Sequence, residues 1–488
     1  MELRRLLGDD AALPAGAGTI DIKGLTADSR AVGEGYLFAA LAGAKADGAI
    51  YARKAQQAGA AAILAAEGAE IDADIPVVRA ANPRRALALA AARFAGPQPA
   101  TIAAVTGTSG KTSVSVFLRQ IWEAQGLAAA SLGTIGVVSP AGEHYSGLTT
   151  PDPVGLARMM AELAAEGVTH AAIEASSHGL DQYRLDGLKL SAGGFLNLGR
   201  DHLDYHPSVE DYFAAKLRLF TELLPDGATA VVNVDDPWGP KVVEACRARG
   251  LSVLRAGISG EEIRLAGVEP AGFAQLLQIE AMGERLEAML PLVGTFQASN
   301  ALVAAGLAIA TGTPPARAVA ALETLRGAKG RLDRAGDING AMVFVDYAHK
   351  PDALVSALGA LRPFTKGRLI VVFGAGGDRD RGKRPLMGAA AVENADVAIV
   401  TDDNPRSEEP AAIRRAILEA APGAIEIGDR GEAIREAVMM ARPGDVVLVA
   451  GKGHEPGQIV GDQVLPFSDH EAVAGAIEAA GGGRQAHG

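Results

Sequence analysis

At 488 residues, with 48% hydrophobic and 21% charged residues, the chain is too long for one core and ordinary in polarity for a globular protein, so about three domains are expected. A formal net charge of −12 without a long Lys/Arg run argues against a nucleic-acid partner, and the only cysteine, Cys246, excludes an intramolecular disulfide and a cysteine-based zinc site. No apolar run reaches membrane-spanning length and the opening MELRRLLGDDAALPAG has no apolar signal core, so a cytoplasmic protein without membrane insertion is expected.

Aromatics make up only 4% of the chain and glycine and alanine supply much of the apolar count, which suits helices packed on parallel sheets. Residues 1–97 alternate short apolar runs with helical stretches and read as a smaller α/β domain. AGPQPA, from Ala95 to Ala100, reads as a linker, because its two prolines oppose helix and sheet alike. Residues 98–330 begin with the strand-like TIAAVTG, pass through a glycine turn and continue as the helix-like SVSVFLRQIWEAQG. HAAIEASSHG, GGFLNLGRDH and ATAVVNVDDP follow, each an apolar run ending in polar residues. This is the pattern of βαβ units in a mainly parallel sheet. Residues 260–295 differ, with shorter alternating pieces that suggest an antiparallel flap. A boundary near Gly330 opens a third, Rossmann-like domain, 331–488, built from MVFVDYAHKPDAL, LIVVFGAGGDRD, ADVAIVTDDNPR and VVLVAGKGHE. The tail GGGRQAHG reads as disordered. The fold class is α/β with three domains, and the polar clusters after strands place the chemistry beyond strand carboxyl ends, between the second and third domains.

Gly107, Thr108, Ser109, Gly110, Lys111, Thr112 and Ser113 lie between a strand and a helix. Glycines turn backbone N–H groups toward phosphate oxygens, and the helix N-terminus adds partial positive charge. Lys111 is then suited to the terminal phosphates of a nucleoside triphosphate, and the Thr112 hydroxyl to Mg²⁺. Val105 occupies the place of the first glycine in the common GxxxxGK[ST] pattern, so the loop is a shortened variant. By itself such a loop fits a kinase, a ligase or a nucleotide-dependent switch ATPase.

TGTSGKTS is similar to the loop of the Mur ligases and folylpolyglutamate synthetases. The chain further resembles the Mur ligases in EASSHGL (174–180), NLGRDHLDYH (197–206), DYFAAKLRLF (211–220), SNALVA (299–304), GRLD (330–333), DYAHKPDAL (346–354), GDRDRGKRP (377–385), DNPRSEEP (403–410) and GKGHE (451–455). DSR at Asp28–Arg30 and GAKADG from Gly43 extend the likeness into the first domain. The resemblance implies an ATP-dependent ligase acting through an acyl phosphate, a monomer with small-molecule substrates and two Mg²⁺ ions. It points to the branch that adds meso-diaminopimelate to UDP-N-acetylmuramoyl-L-alanyl-D-glutamate in peptidoglycan precursor synthesis. A lysine-adding Mur ligase and a folylpolyglutamate synthetase-like ligase are the neighbouring alternatives.

Carried over position by position, the resemblance makes Lys111, Lys216 and His202 catalytic. Thr112, Glu174, His202 and Lys216 become metal ligands, with Lys216 carbamylated. Composition alone reads Lys216 as a snorkelling lysine beside the apolar stripe Phe213, Leu217, Phe220 and Leu224, in a helix that Ser208 and Asp211 open. Asn300, Arg331 and Asp346 are implied adenosine contacts, with His349 and Lys350 beside the nucleotide. Ala27, Ser29, Ala44, Lys45 and Ala46 are implied to meet the uridine nucleotide, and Thr149, Thr150, Ser176, Gln182 and Arg184 the sugar-peptide. Leu148 stands where some members have asparagine. Asp403, Asn404, Pro405 and Arg406, with Arg379, Gly451 and Glu455, are implied to hold diaminopimelate. The Arg406 guanidinium matches a carboxylate with two parallel bonds, and lysine lacks the distal carboxylate.

Overall fold

The computed structural model describes residues 1–43, 47–144, 149–199, 201–202 and 204–481. Ala44, Lys45, Ala46, Leu148 and nearly all of the GGGRQAHG tail therefore lie outside the described residues. The chain divides into two compact units, Met1–Arg264 with Leu302–Ala318, and Leu265–Ala301 with the chain from Val319 onward.

In the first unit, Gly24–Thr26, Tyr36–Ala39, Ala62–Ala66 and Val77–Ala80 form a parallel four-stranded sheet in that order. The helix Pro83–Ala95 packs its Ala86, Leu87 and Ala90 against it. Pro83 pre-sets the first helical turn, and the Asn82 side chain accepts from the Arg85 N–H, a cap worth about 1 kcal/mol.

Eight neighbouring strands of an eleven-stranded sheet follow in the order Ser252–Gly257, Thr229–Asn233, Ala192–Phe195, Thr101–Thr106, His170–Glu174, Ala129–Gly133, Gly136–Ser139, Gly142–His144. The first six run parallel and the last two add antiparallel. After Thr101–Thr106 the next strands lie on one side, with His170–Glu174 returning to pair beside it, and the chain then crosses to continue from Ala192–Phe195 on the other. Thr101–Thr106 is thus the switch strand, and ligands of open α/β sheets bind beyond the carboxyl ends of the strands at such a point. Its Ile102, Ala103, Ala104 and Val105 are buried, as a parallel strand covered on both faces requires.

In the second unit, Ala274–Ala281 and Glu284–Leu290 pair antiparallel from Gln275↔Leu290 to Ala281↔Glu284, as the alternating 260–295 segment suggested. A six-stranded sheet follows in the order Asp333–Ile338, Ala341–Asp346, Val446–Ala450, Leu369–Phe373, Val397–Val400, Ile425–Glu426. All but the first pair run parallel. Helices Pro351–Leu361, Lys383–Asn394 and Pro410–Leu418 cover one face, and Arg430–Met440 with Asp469–Ala479 the other. The late strand Val446–Ala450 inserts between Ala341–Asp346 and Leu369–Phe373, giving this sheet its own switch point. The mixed α/β class with mainly parallel sheets agrees with the sequence reading. No described helix is long and apolar enough to cross a membrane.

Candidate active site

Gly107–Gly110 forms the turn between Thr101–Thr106 and the helix Lys111–Ala124. Gly110 is left-handed at φ 87°, and a Cβ on Gly107 would sit 2.8 Å from the Leu196 Cβ, so both positions need glycine. Asn197, just past the neighbouring strand, pins the loop. Its Oδ1 accepts from Ser109 N at 2.9 Å, its Nδ2 donates to Ser109 O at 3.2 Å, and its carbonyl accepts from Thr108 N at 3.0 Å. Asn197 escaped the sequence reading as a loop support because 88 residues separate it from Ser109. Lys111 Nζ donates to the carbonyls of Gly107 at 2.8 Å and Thr108 at 3.1 Å.

Lys216 meets the same loop. The helix Val209–Arg218 starts at Ser208, whose side chain accepts from Asp211 N as expected, but it gives way to a π-helical turn at Leu219–Leu223. Lys216 does not snorkel. It is 1% exposed, its Nζ donates to Gly107 O at 2.8 Å, and it lies 4.5 Å from the Tyr212 ring centre. Burial and the neighbouring Lys111 charge push its ammonium well below the usual lysine range, with Asp201 opposing. The neutral amine so favoured is the form that can add CO₂.

Glu174, 1% exposed at the end of His170–Glu174, accepts from Thr134 N at 2.8 Å and from the Thr134 hydroxyl at 3.2 Å. A Cβ on Gly133 would collide with its carboxylate. His202 has φ 54° and lies 3.7 Å from Asp201 Oδ2, with its ring against His178 at 4.9 Å. Among the described residues no cluster of three or more His, Cys, Asp or Glu gathers to hold an ion. The donors are one carboxylate, the buried Thr112 hydroxyl and an imidazole, beside a buried amine that carbamylation would turn into an oxygen ligand. That set fits Mg²⁺, which is usually held by one or two carboxylates together with substrate phosphates.

Four residues assigned to the sugar-peptide connect directly. Thr150 Oγ1 is 3.0 Å from Ser176 Oγ, Arg184 donates to Thr150 O at 2.6 Å and to Gln182 Oε1 at 2.7 Å, and Gln182 Nε2 donates to the Tyr205 hydroxyl at 3.1 Å. Thr149 joins through Thr134, at 3.0 Å between hydroxyls, and Glu174, whose carbonyl accepts from Thr150 Oγ1 at 2.9 Å. In the first sheet's loop Ala27 is exposed and Ser29 half-buried, and Arg30 draws the Asp28 carboxyl down to about 2.

In the second unit Asn300 Nδ2 donates to Gln297 Oε1 at 3.3 Å, and Gln297 Nε2 to Arg331 O at 3.2 Å. Asp346 accepts from Leu332 N at 2.7 Å and Ala348 N at 2.8 Å, and burial raises its carboxyl despite the Arg331 charge. Asn300, Arg331 and Asp346 are therefore gathered. The His349 imidazole is lowered by burial and its carbonyl accepts from Lys383 Nζ at 2.9 Å, and Lys350 stands at the N-cap position of the helix Pro351–Leu361 without a side-chain cap bond.

Asp403–Arg406 extends the strand Val397–Val400. Arg406 is left-handed at φ 52°, which costs about 1–2 kcal/mol and is offset by bonds from Arg406 N to Ile459 O at 3.0 Å and from Gly461 N to Arg406 O at 2.7 Å. Its Nη1 donates to Gly377 O at 2.9 Å, and no other bond to its guanidinium beyond a long one to Asn404 O is present among the described residues. Nε and Nη2, the edge that takes a carboxylate side-on, stay available. A Cβ on Gly377 would run into the Pro405 carbonyl, and one on Gly451 would lie 2.6 Å from Asp403 Oδ2. Glu455 Oε2 accepts from Asn404 Nδ2 at 2.9 Å. Arg379 is exposed and donates to Asp378 O at 3.1 Å. Sequence reasoning missed Lys452 and Gln458, which donate to Asn404 Oδ1 at 3.0 Å and Asp403 O at 2.6 Å. The one signal was a lysine one glycine past a wholly apolar strand.

Three family profiles match the chain: the Mur ligase family, catalytic domain, over residues 21–97, the Mur ligase middle domain over 105–308, and the Mur ligase, glutamate ligase domain over 330–453. The chain belongs to the Mur ligase family. It is 60% identical over 481 residues to UDP-N-acetylmuramoyl-L-alanyl-D-glutamate--2,6-diaminopimelate ligase of Bradyrhizobium diazoefficiens, covering 98% of this chain and 99% of that one. The Caulobacter vibrioides ligase of the same name is 58% identical over 464 residues, covering 94% and 96%. A solved structure of a ligase of that name superposes with a TM-score of 0.75 at 31% identity, covering 98% and 99%. The family's fold recurs in the MurF ligase from Thermotoga maritima in complex with ADP, with a TM-score of 0.60 at 18% identity over 93% of this chain and 97% of that one.

Proposed function

We propose that the chain is the ATP-dependent ligase that joins the amine of meso-diaminopimelate to UDP-N-acetylmuramoyl-L-alanyl-D-glutamate, in the cytoplasm and as a monomer. The observation that carries the amino-acid choice is Arg406. Its Nη1 is committed to the Gly377 carbonyl, and its Nε–Nη2 edge remains for a carboxylate. The side chain of lysine ends in an ammonium and offers that edge nothing.

A carboxylate is a poor electrophile and must be activated. The D-glutamyl side-chain carboxylate oxygen attacks the γ-phosphorus of ATP, the bond to the ADP oxygen breaks, and an acyl phosphate forms. The Gly107–Gly110 backbone and Lys111 orient the phosphates and offset their charge, the main protein task in phosphoryl transfer. Asn300, Arg331 and Asp346 hold the adenosine, and Thr149, Thr150, Ser176, Gln182 and Arg184 the sugar-peptide, with Ala27 and Ser29 toward the uridine. Thr112, Glu174, His202 and carbamylated Lys216 would hold two Mg²⁺ ions, which supply charge neutralisation at the phosphates. The diaminopimelate amine then attacks the acyl carbon, inorganic phosphate leaves with the bonding pair, and the nitrogen loses its proton. Asp403, Asn404, Pro405, Arg406, Arg379, Gly451 and Glu455 orient that amine. No side chain becomes a covalent nucleophile.

ADP release tests the reaction class. Sustained release over many turnovers should require the precursor and the amino acid together. Equal release with either omitted would make the chain a switch ATPase instead.

A further inference from the structure

We infer that Lys452 is a positioning residue for the amino-acid substrate, acting through Asn404 and Glu455. The inference rests on the reading of the 403–406 loop as the amino-acid pocket.

Lys452 follows the strand Val446–Ala450 and is 0% exposed. A buried ammonium is costly unless it is paired and hydrogen-bonded. Its partners are Asn404 Oδ1 at 3.0 Å and Glu455 Oε2 at 3.3 Å. Asn404 Oδ1 also accepts from Ile459 N at 2.9 Å. With two donors aimed at one end of the amide, that end must be oxygen, because the flipped amide would set NH₂ against an ammonium and an N–H. The Asn404 nitrogen is therefore fixed on the other side. One of its hydrogens goes to Glu455 Oε2 and one remains.

Glu455 completes the arrangement. Its Oε2 accepts from both Lys452 and Asn404, which leaves Oε1 as an acceptor on a side chain 32% exposed. The result is one amide N–H and one carboxylate oxygen left over on two side chains joined by the Asn404 Nδ2–Glu455 Oε2 bond. A carboxylate and an ammonium on one carbon, as at the zwitterionic far end of diaminopimelate, are the complementary pair. Lys452 sets this polarity from below without facing the substrate.

The strand ends are clamped by a different residue. Arg430 pairs with Asp469 at 2.7 Å, both fully buried, and donates to Ala450 O at 3.0 Å and Asp402 O at 3.5 Å. Loss of the Lys452 ammonium thus leaves that clamp in place.

The test compares Lys452→Met, which keeps chain length without a donor, with Lys452→Gln, whose amide can still donate to Asn404. Steady-state constants are measured for ATP, precursor and diaminopimelate, with a thermal melt of each variant. Lys452→Met should raise the diaminopimelate KM about 10- to 100-fold, leave kcat at saturation within about twofold and leave the other two KM values unchanged. Lys452→Gln should recover part of the loss, and it carries the test if Lys452→Met does not fold. In an Asn404→Ala background, Lys452→Met should add less than about twofold, because the two act as a unit. An unchanged diaminopimelate KM, an equal rise in all three, or full additivity with Asn404→Ala would overturn the inference. If Asn404→Ala and Arg406→Ala themselves leave that KM normal, the pocket reading falls. If they raise it and the Lys452 variants do not, only the role of Lys452 falls.

Discussion

Lys111 and Lys216, 105 positions apart by their numbers, each donate a side-chain N–H to the carbonyl oxygen of Gly107, both at 2.8 Å. Burial first, and then the repulsion between two cationic side chains converging on one carbonyl, lower the ammonium of the buried one. Lys216 is the buried one. The proposed roles divide accordingly, with Lys216 as the amine to be carbamylated and Lys111 as the cation for the phosphates.

Lys216→Ala should reduce ligation to a few per cent or less of wild type while the protein melts normally. Acetate, filling the gap with a small carboxylate, should restore part of the activity. Labelled bicarbonate should give a carbamate resonance in wild type that Lys216→Ala lacks. Full turnover in Lys216→Ala, or no carbamate signal in active wild type, contradicts the assignment.

Lys111→Ala should lose acyl-phosphate formation, because the residue acts on ATP before the amine enters. Trapping the activated precursor distinguishes the two half-reactions. Normal trapping with only the final amide lost would remove Lys111 from the phosphate site.

His454 gives a pH prediction. Burial, with the charges of Arg331 and Lys329, holds its imidazole down at about 4 against an ordinary value of 6.5. Between those values the unfolded chain binds more protons than the folded one, so stability falls as pH falls. The contribution is fully present above the ordinary value and is lost toward about pH 4, with a size on the order of 3 kcal/mol. His454→Gln removes the titration. Melts between about pH 7 and about pH 4.5 should show a shallower loss in the variant, and parallel curves would contradict this.

Much of the site is legible in sequence because it is built locally. The strand–turn–helix around Lys111 and the cap at Ser208 rest on residues a few positions apart. The gathering of Asn300, Arg331 and Asp346, or of Asn404 and Glu455, was reachable only through the family resemblance. What supports those residues was not legible at all. Asn197 reaches across 88 positions to the phosphate loop, and Arg430 finds Asp469 across 39. No periodicity or propensity marks such pairs. Nor does periodicity reveal the burial of Lys216, since its helix stripe ends in a π-turn rather than continuing.

Gly377→Ala should act on the amino-acid loop from a distance. The added methyl group meets the Pro405 carbonyl, a backbone atom that moves only with the loop. The diaminopimelate KM should rise at least about tenfold with the ATP KM unchanged, since a displaced loop loses bonds worth about 1–3 kcal/mol. Equal constants for wild type and variant would show that the loop does not read the amino acid.

The most direct measurement gives wild type and Arg406→Ala the precursor, ATP and an equimolar mixture of meso-diaminopimelate and lysine, and identifies the products by mass. Wild type should form the diaminopimelate adduct almost alone. Arg406→Ala should lose it by about 30- to several-thousand-fold, the equivalent of the roughly 2–5 kcal/mol that removing one partner of a shielded charge pair costs. Its constants for ATP and precursor should hold. A lysine adduct from wild type, or undiminished diaminopimelate addition by Arg406→Ala, would contradict the account.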